Sequence, residues 1–368
     1  MKLRMMLAML VAVLPAMGPA QQPKRWVSYW YDPAVTVDDK EPSHNVTATL
    51  ELLKREGGSK VATSLMLYCE DLIRPDGSFR AGASIGCDAM IPQLNAMGIG
   101  AERIVGSPSI DSLRAMFQSP ANSIAGMVAL TKQHKLRGIS WDVEPPNSTK
   151  ADAVQYAAYL KQLRAALAPL GARLTTYNNM YDPVISDMDD IQHSVDRLLD
   201  GDTYNYRCDG CKTDVQNFTG WLKHYHATVV NLNISRDKAG VSMLASTYSG
   251  RYVLSCLVLC VSLCVTLCVF ACFCVCLCVC VSVCFCVAYV LSGAGTERGD
   301  WNCEVSTMKE RIAQIKADNV PELAIFILRP DEGPDEKCST KLNPDGEPMC
   351  PCSNKWFPLA RDFLAGTL

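Results

Sequence analysis

The sequence predicts a single-domain (β/α)8 barrel, a TIM barrel of the α/β class. Short apolar segments rich in β-branched and aromatic residues alternate with helical patterns along the chain. Their starts recur roughly every 30 to 40 residues, as a strand–helix unit requires, and the 368-residue length fits the fold. A doubly wound sheet is the alternative, but no Gly-rich phosphate loop follows any candidate strand.

The elements can be assigned in chain order. The eight candidate strands are Trp26–Tyr31, Lys60–Leu67, Glu102–Gly106, Leu136–Val143, Arg173–Tyr177, Asp202–Tyr206, Gly240–Ala245 and Glu322–Leu328. Helical periodicity marks Thr47–Glu56, Ile110–Gln118, Ser123–His134, Lys150–Leu170, Asp187–Leu199, Gln216–His226 and Val305–Asp318 between them. A short terminal helix is expected at Leu359–Ala365. Only the last interval between strands is about twice the barrel repeat.

The fourth candidate strand ends in two carboxylates, Asp142 and Glu144. Alternate residues of a strand point to the same side, so the two groups project together, roughly 6–7 Å apart. Mutual repulsion splits the pKa values of such a pair. One group can then hold a proton while the other stays charged, as acid catalysis at a glycosidic bond requires. A structural carboxylate pair ending a strand has the same pattern and remains the alternative.

The run from Arg137 to Glu144 resembles the active-site signature of glycoside hydrolase family 18, the chitinase and chitobiase family. That signature is Asp-Gly-x-Asp-x-Asp-x-Glu at the end of the fourth barrel strand. Gly138, Asp142 and Glu144 match it, whereas Arg137 and Ser140 replace the first and middle Asp. The resemblance implies that Glu144 is the general acid and that Asp142 orients the 2-acetamido group of the substrate. That group attacks the anomeric carbon, so the configuration is retained by substrate assistance.

Other strand ends are also similar to the family. Asp-Thr-Tyr-Asn at 202–205 stands where the family has Met-x-Tyr-Asp. The resemblance implies that Tyr204 helps to hold the acetamido group and the reacting carbon, and that Asn205 replaces a sugar-contacting Asp. The further residues expected to bind the sugar are Ser140, Trp141, Tyr177, Asn178 and Tyr181. Space-filling tyrosines and a polar loop are the alternatives. Strand eight lacks the Trp that forms the floor of the sugar pocket in many members.

The N-terminus indicates secretion. Lys2 and Arg4 precede an apolar run from Met5 to Leu14 and small residues through Ala20, which predicts a signal peptide over residues 1–20. The barrel is expected over 21–368. Glycosylation triplets begin at Asn45, Asn147, Asn217 and Asn233, and the eight cysteines outside residues 253–291 favour disulfides. We expect a secreted protein or one in an endomembrane or lysosome-like lumen.

Residues 253–291 interrupt the barrel pattern between strands seven and eight. The segment has no charged residue and contains eleven of the 19 cysteines. Cysteine recurs every fourth residue from Cys256 to Cys272 and every second residue to Cys280, and no single structural element has both periods. Alternating Cys and Val is what a TG repeat encodes, so we interpret the segment as a gene-model artefact. The alternative is a membrane hairpin, and only then would the protein have a membrane partner.

Charge and motifs exclude several classes of function. The net charge of −3 with mixed signs predicts no nucleic-acid partner, and we expect no metal or cofactor. The expected partner is an oligosaccharide or polysaccharide that contains N-acetylglucosamine. Two hypotheses remain: a retaining glycosidase acting on β-linked N-acetylglucosamine oligomers, and a non-catalytic, lectin-like barrel. Glu144 favours the enzyme, whereas Arg137, Ser140 and the missing Trp favour the lectin.

Overall fold

The computed structural model describes residues 24–31, 46–82, 85–107, 109–143, 147–178, 188–200, 203, 214–230, 234–244, 305–326, 328 and 353–367. The predicted signal peptide and the segment 253–291 lie outside these residues. Among the described helices, none combines the length and apolar character needed to cross a membrane.

Eight parallel strands of the described chain close into a barrel, because the first strand pairs with both the second and the last. A ninth, two-residue strand forms an antiparallel hairpin with the second. In chain order the strands are β1 (Trp26–Tyr31), β2 (Ser64–Ile73), β3 (Phe79–Arg80), β4 (Gly100–Gly106), β5 (Gly138–Asp142), β6 (Arg173–Asn178), β7 (Arg197–Asp200), β8 (Ala239–Leu244) and β9 (Glu322–Phe326). The predicted (β/α)8 barrel is confirmed, and β5 is its fourth strand.

Helices surround the barrel. They are α1 (Val46–Arg55), α2 (Ile85–Ala96), α3 (Ile110–Gln118), α4 (Pro120–His134), α5 (Lys150–Leu167), α6 (Met188–Ser194), α7 (Asp214–Tyr225), α8 (Val305–Ala317) and α9 (Ser353–Ala365). The sequence pattern gave no indication of α2, which contains Pro92, and it placed the start of α9 six residues too late. Elsewhere the predicted helices differ from these bounds mainly at their ends.

The prediction for the sixth barrel strand was wrong. That strand is β7, which overlaps the end of the segment that the periodicity assigned to a helix over Asp187–Leu199. Ile191, Val195, Leu198 and Leu199 are all buried, and their spacing fits one face of a helix although the helix ends at Ser194. Of the predicted strand at 202–206, the structure describes only Thr203, which follows β7 and donates a hydrogen bond to the carbonyl of Ser242.

Strand alternation separates two cores. One side of each strand packs against the helices, as Ile139 does, and the other side fills the barrel. Nearest the amino ends of the strands, the barrel interior is charged. Arg173 donates hydrogen bonds to both Glu102 and Glu322, and Arg197 pairs with Glu322 at 3.0 Å. Toward the carboxyl ends of the strands, the interior becomes apolar and aromatic.

Candidate active site

The carboxyl ends of the strands bring Asp142 to the mouth of the barrel. Asp142 is the last residue of β5 and is partly exposed. Ser140, two residues earlier, lies on the same side of the strand and is fully buried below it. This is the end of the barrel at which enzymes with this fold carry their active sites. Asp142 therefore stands where a carboxylate can reach a ligand from solvent.

Two buried hydroxyl groups lie below Asp142 inside the barrel and share one hydrogen-bond acceptor. The hydroxyl of Tyr177 donates to the sulfur of Met66 at 3.2 Å, and the hydroxyl of Ser140 donates to the same sulfur at 3.6 Å. Burial raises the pKa of Tyr177 well above its ordinary value, and the nearby negative charge of Asp142 raises it further. Tyr177 consequently keeps its proton and remains a neutral hydrogen-bond donor next to Asp142.

Aromatic rings fill the centre of the mouth. Trp30 of β1 meets Phe326 of β9 edge to face, with ring centroids 4.6 Å apart, and also contacts Tyr177 at 5.5 Å. Trp30 and Phe326 are partly exposed. Strand eight lacks a Trp in the sequence, yet the structure places one from strand one against it. Such rings offer flat apolar faces to a ligand.

Tyr68 is a second aromatic residue that the sequence pattern did not identify. It pairs in register with Ile104, whose side chain lies inside the barrel, so Tyr68 faces the same side in the middle of β2. Its exposed fraction is 38%, unusually high for a large inward-facing side chain. Inward direction depends on the closed sheet and on pairing between strands, and neither can be obtained from the local sequence.

The structure contradicts the prediction that Trp141 lines the sugar groove. Its side chain is fully buried and packs on Tyr159 of α5, with ring centroids 5.6 Å apart. Trp141 lies on the opposite side of β5 from Ser140 and Asp142, because adjacent residues of a strand alternate. A contact with sugar would require it to leave the core between barrel and helices.

The remaining predicted residues are only partly described. The backbone of Asn178 ends β6 and pairs with Asp200 of β7. Glu144, Tyr181, Tyr204 and Asn205 lie outside the described residues, so their roles stay predictions. The described part of the site thus comprises one carboxylate, two hydroxyls and a group of aromatic rings. The Asp142 carboxylate can accept hydrogen bonds from a polyhydroxylated ligand, and the partly exposed rings can stack on its apolar faces. The hydroxyls of Ser140 and Tyr177 are buried below them and donate to Met66.

Comparison with known proteins gives likeness in structure only. No protein-family profile and no curated protein sequence matches the chain. A chitinase from Bacteroides thetaiotaomicron matches with a TM-score of 0.55 and 15% identity, over 90% of this chain and 95% of that one. Catalytic domain 2 of the Ostrinia furnacalis Group II chitinase matches with a TM-score of 0.58 and 11% identity, over 93% and 97%. A mutant of that domain, in complex with penta-N-acetylchitooctaose, matches with a TM-score of 0.59.

The spore cortex-lytic enzyme SleL from Bacillus cereus is also similar, although this chain spans only 52% of its length and the TM-score is 0.46. The chitinase matches fit the resemblance between the fourth strand and the family 18 signature. At identities of 11 to 15%, they establish that this chain shares the (β/α)8 fold of those chitinases.

Proposed function

We propose that the chain is a secreted retaining glycoside hydrolase that cleaves β-linked N-acetylglucosamine oligomers. The observation that carries the proposal is the position of Asp142. It ends the fourth barrel strand, faces the mouth and stands above the Ser140 and Tyr177 hydroxyls. Two further points support it: the chain shares its fold with chitinases, and one such domain binds an N-acetylglucosamine oligomer.

The mechanism follows from the chemistry of these groups. Asp142 orients the 2-acetamido group of the sugar, whose carbonyl oxygen attacks the anomeric carbon. Glu144 protonates the leaving oxygen and then activates the water that opens the cyclic intermediate, so the anomeric configuration is retained. Tyr204 assists at the acetamido group. The neutral hydroxyl of Tyr177 donates to the Met66 sulfur and adds no negative charge beside Asp142.

Trp30 supplies the floor of the sugar site in this proposal. Its partly exposed ring occupies the centre of the mouth between Tyr177 and Phe326. The site therefore does not need a Trp from strand eight.

Secretion rests on the N-terminal sequence and on one disulfide. Residues 1–20 have the pattern of a signal peptide. Cys69 and Cys87 form a disulfide between the middle of β2 and α2, which is typical of an oxidising compartment.

The test is hydrolysis of fluorogenic chitobioside and chitotrioside by the full chain. Glu144→Gln is expected to lower kcat/KM by about 10²–10⁴-fold, the usual contribution of general acid–base catalysis. Asp142→Asn should lower kcat with less effect on binding. Glu51→Gln, which removes an exposed carboxylate on α1, is the matched control and should leave kcat/KM unchanged.

Two outcomes separate the enzyme from a lectin-like barrel. A substrate in which glucose replaces N-acetylglucosamine should not be cleaved, because it lacks the attacking acetamido group. Folded protein that binds N-acetylglucosamine oligomers without cleaving them would reject the glycosidase and establish the non-catalytic alternative.

A further inference from the structure

A second cavity lies at the opposite end of the barrel from the candidate active site. Its volume is about 480 Å³, within the range of about 300–1,000 Å³ that is usual for small-molecule sites. Its walls come from residues that precede the first four barrel strands and from the end of α9. They are Lys24, Arg25, Ser59, Thr63, Gly98, Arg137, Leu364, Ala365 and Gly366.

The walls of this basic cavity carry one sign of charge. Lys24, Arg25 and Arg137 line it, and no described wall residue is a carboxylate. Clefts lined by one sign of charge concentrate ions of the other sign. Mixed charge over the whole surface, with a net of −3, makes this local excess of cations a distinct feature.

Arg137 is the central cation of the basic cavity. Its guanidinium lies 4.5 Å from the centre of the Trp26 ring and donates one hydrogen bond to the carbonyl of Thr63. Among the described residues, no carboxylate comes within salt-bridge distance of it. Burial lowers the pKa of Arg137 and the positive charge of Arg173 lowers it further, whereas the negative charges of Glu102 and Glu322 offset these effects only in part. The charge of Arg137 is thus incompletely compensated, and an anion would stabilise it.

The other two cations are also held by neutral groups. Arg25 donates to the carbonyl of Phe363 at 3.0 Å, and its guanidinium lies 5.4 Å from the ring of the same residue. Lys24 lies 5.6 Å from the Trp26 ring. These contacts fix the stems and leave further N–H donors for a ligand. Guanidinium groups suit tetrahedral oxyanions because their planar donors bind two oxygens at once.

The buried carboxylates behind the cavity offset this excess only in part. Arg173 and Arg197 pair with the two carboxylates of Glu102 and Glu322 inside the barrel. Arg137 is therefore a third cation beside two carboxylates that already have partners.

We propose that the basic cavity binds a phosphate or sulfate group, either as the free ion or as part of a small ester. The site is separate from the proposed catalytic site and does not depend on it. The volume leaves room for the molecule that carries the group. Arg137 would contact the oxyanion directly, and Lys24 and Arg25 would hold it at the entrance.

Isothermal titration calorimetry of the full chain with inorganic phosphate tests this proposal, with sodium chloride at matched ionic strength as the blank. Saturable heat is expected, and Arg137→Gln should weaken binding at least tenfold. Lys24→Gln, at an exposed position, should weaken it several-fold. Lys161→Gln, an exposed lysine on α5, is the matched control and should change nothing.

Glucosamine 6-phosphate and glucosamine 6-sulfate distinguish an ester from a free ion. Tighter binding of either ester than of inorganic phosphate, lost in Lys24→Gln, would identify an ester site. Equal binding would identify the free ion. Heat that does not exceed the sodium chloride blank would overturn the proposal. Unchanged affinity in both Lys24→Gln and folded Arg137→Gln would also overturn it.

Discussion

Arg173 is the residue on which the charged interior of the barrel depends. Its guanidinium donates to Glu102 and to both carboxylate oxygens of Glu322, and it lies 4.4 Å from the centre of the Trp26 ring. Although burial raises the pKa of Glu322, the charges and hydrogen bonds of Arg173, together with Arg197, lower it by more. Glu322 therefore remains charged inside the barrel because Arg173 faces it.

Replacing Arg173 should destabilise the fold strongly. Arg173→Met leaves Glu102 without its cation and Glu322 with Arg197 alone, and breaking a buried pair in this way costs about 3–5 kcal/mol. Urea unfolding at pH 7 measures the loss. Arg55→Ala removes one partner of an exposed pair with Glu56 and should cost less than about 1 kcal/mol. A loss in Arg173→Met as small as that of the control would show that the network does not stabilise the barrel.

Trp30 should determine affinity for the sugar in the proposed enzyme. Its ring is partly exposed between Tyr177 and Phe326, so Trp30→Ala removes a stacking surface worth about 1 kcal/mol or somewhat more. We expect KM to rise about tenfold, with kcat changed less. Trp30→Phe keeps an aromatic face and should retain most of the affinity. Unchanged KM in Trp30→Ala, with hydrolysis intact, would place the sugar elsewhere in the mouth.

For single residues, the sequence predicts which side chains share a side of a strand, but not which side faces the barrel interior. Ser140 and Asp142 share a side as their spacing requires, and the same alternation turns Trp141 toward the helices. That error could have been avoided by applying the rule to Trp141. The inward positions of Trp30 and Tyr68 could not have been found in this way, because they depend on which strands are neighbours.

The start of α5 is stabilised by hydrogen bonds from side chains as well as from the backbone. Thr149 and Asp152 form a capping box, in which each side chain accepts a hydrogen bond from the backbone of the other. Arg114 of α3 adds two hydrogen bonds to the Asp152 carboxylate, at 2.8 and 2.9 Å. The cap therefore fixes the backbone at Thr149, seven residues after Asp142 in the chain.

The cap should make stability depend on pH. The hydrogen bonds from Arg114 lower the pKa of Asp152 to about 2, although burial opposes the shift, and Thr149 adds to it. Since this value lies below the ordinary 3.8, the stabilisation is complete above about pH 4 and is lost as the pH falls through 2. Asp152→Asn should cost about 1–2 kcal/mol at pH 7, because Arg114 is partly solvated.

Urea unfolding of Asp152→Asn and the unchanged chain, from pH 7 down to pH 2, tests this dependence. The difference between the two should shrink below pH 4. Asp111→Asn removes a well-exposed carboxylate that faces the same Arg114 at 3.6 Å, and it should cost less than about 0.5 kcal/mol. A difference that stays constant down to pH 2 would assign the loss to packing rather than to charge.

Strands and helices were predictable where the spacing of apolar residues fitted only one type of element. The β-branched and aromatic residues of β1 and the helical spacing of apolar residues in α5 were sufficient to place them. At β7 the buried residues also fit a helix, and only the pairing with β6 over four residues and with β8 over three decides the assignment. Pro92 and the polar residues scattered along α2 concealed this helix in the sequence pattern. The Cys69–Cys87 disulfide links it to β2.

Across the whole molecule, the two ends of the barrel carry opposite chemistry. The carboxyl ends of the strands present Asp142 beside aromatic rings, and the amino ends present the cations of the basic cavity. The charged network of Arg173 separates the two ends, so a ligand at one need not disturb the other. This arrangement is consistent with the usual division of the fold, in which catalytic groups collect at the carboxyl ends.

Closure of the barrel does not require residues 253–291. β8 and β9 pair directly over five residues, and α8 lies immediately before β9 in the chain. The connection between β8 and α8 only has to span a fixed separation. Removing residues 253–291 shortens that connection roughly threefold, which should stabilise the fold by about 1 kcal/mol through a smaller entropy of loop closure.

The variant lacking residues 253–291 should therefore fold, unfold in urea at a midpoint equal to or above that of the full chain, and keep the proposed activity on chitobioside. A matched control removes β9 instead, residues 322–326, which should abolish folding because β1 and β8 each lose one of their two partner strands and the barrel opens. Lower stability after removal of 253–291, measured by urea unfolding of secreted protein, would show that the segment packs against the barrel. In that case its cysteine periodicity would reflect selection on the protein rather than a nucleotide repeat.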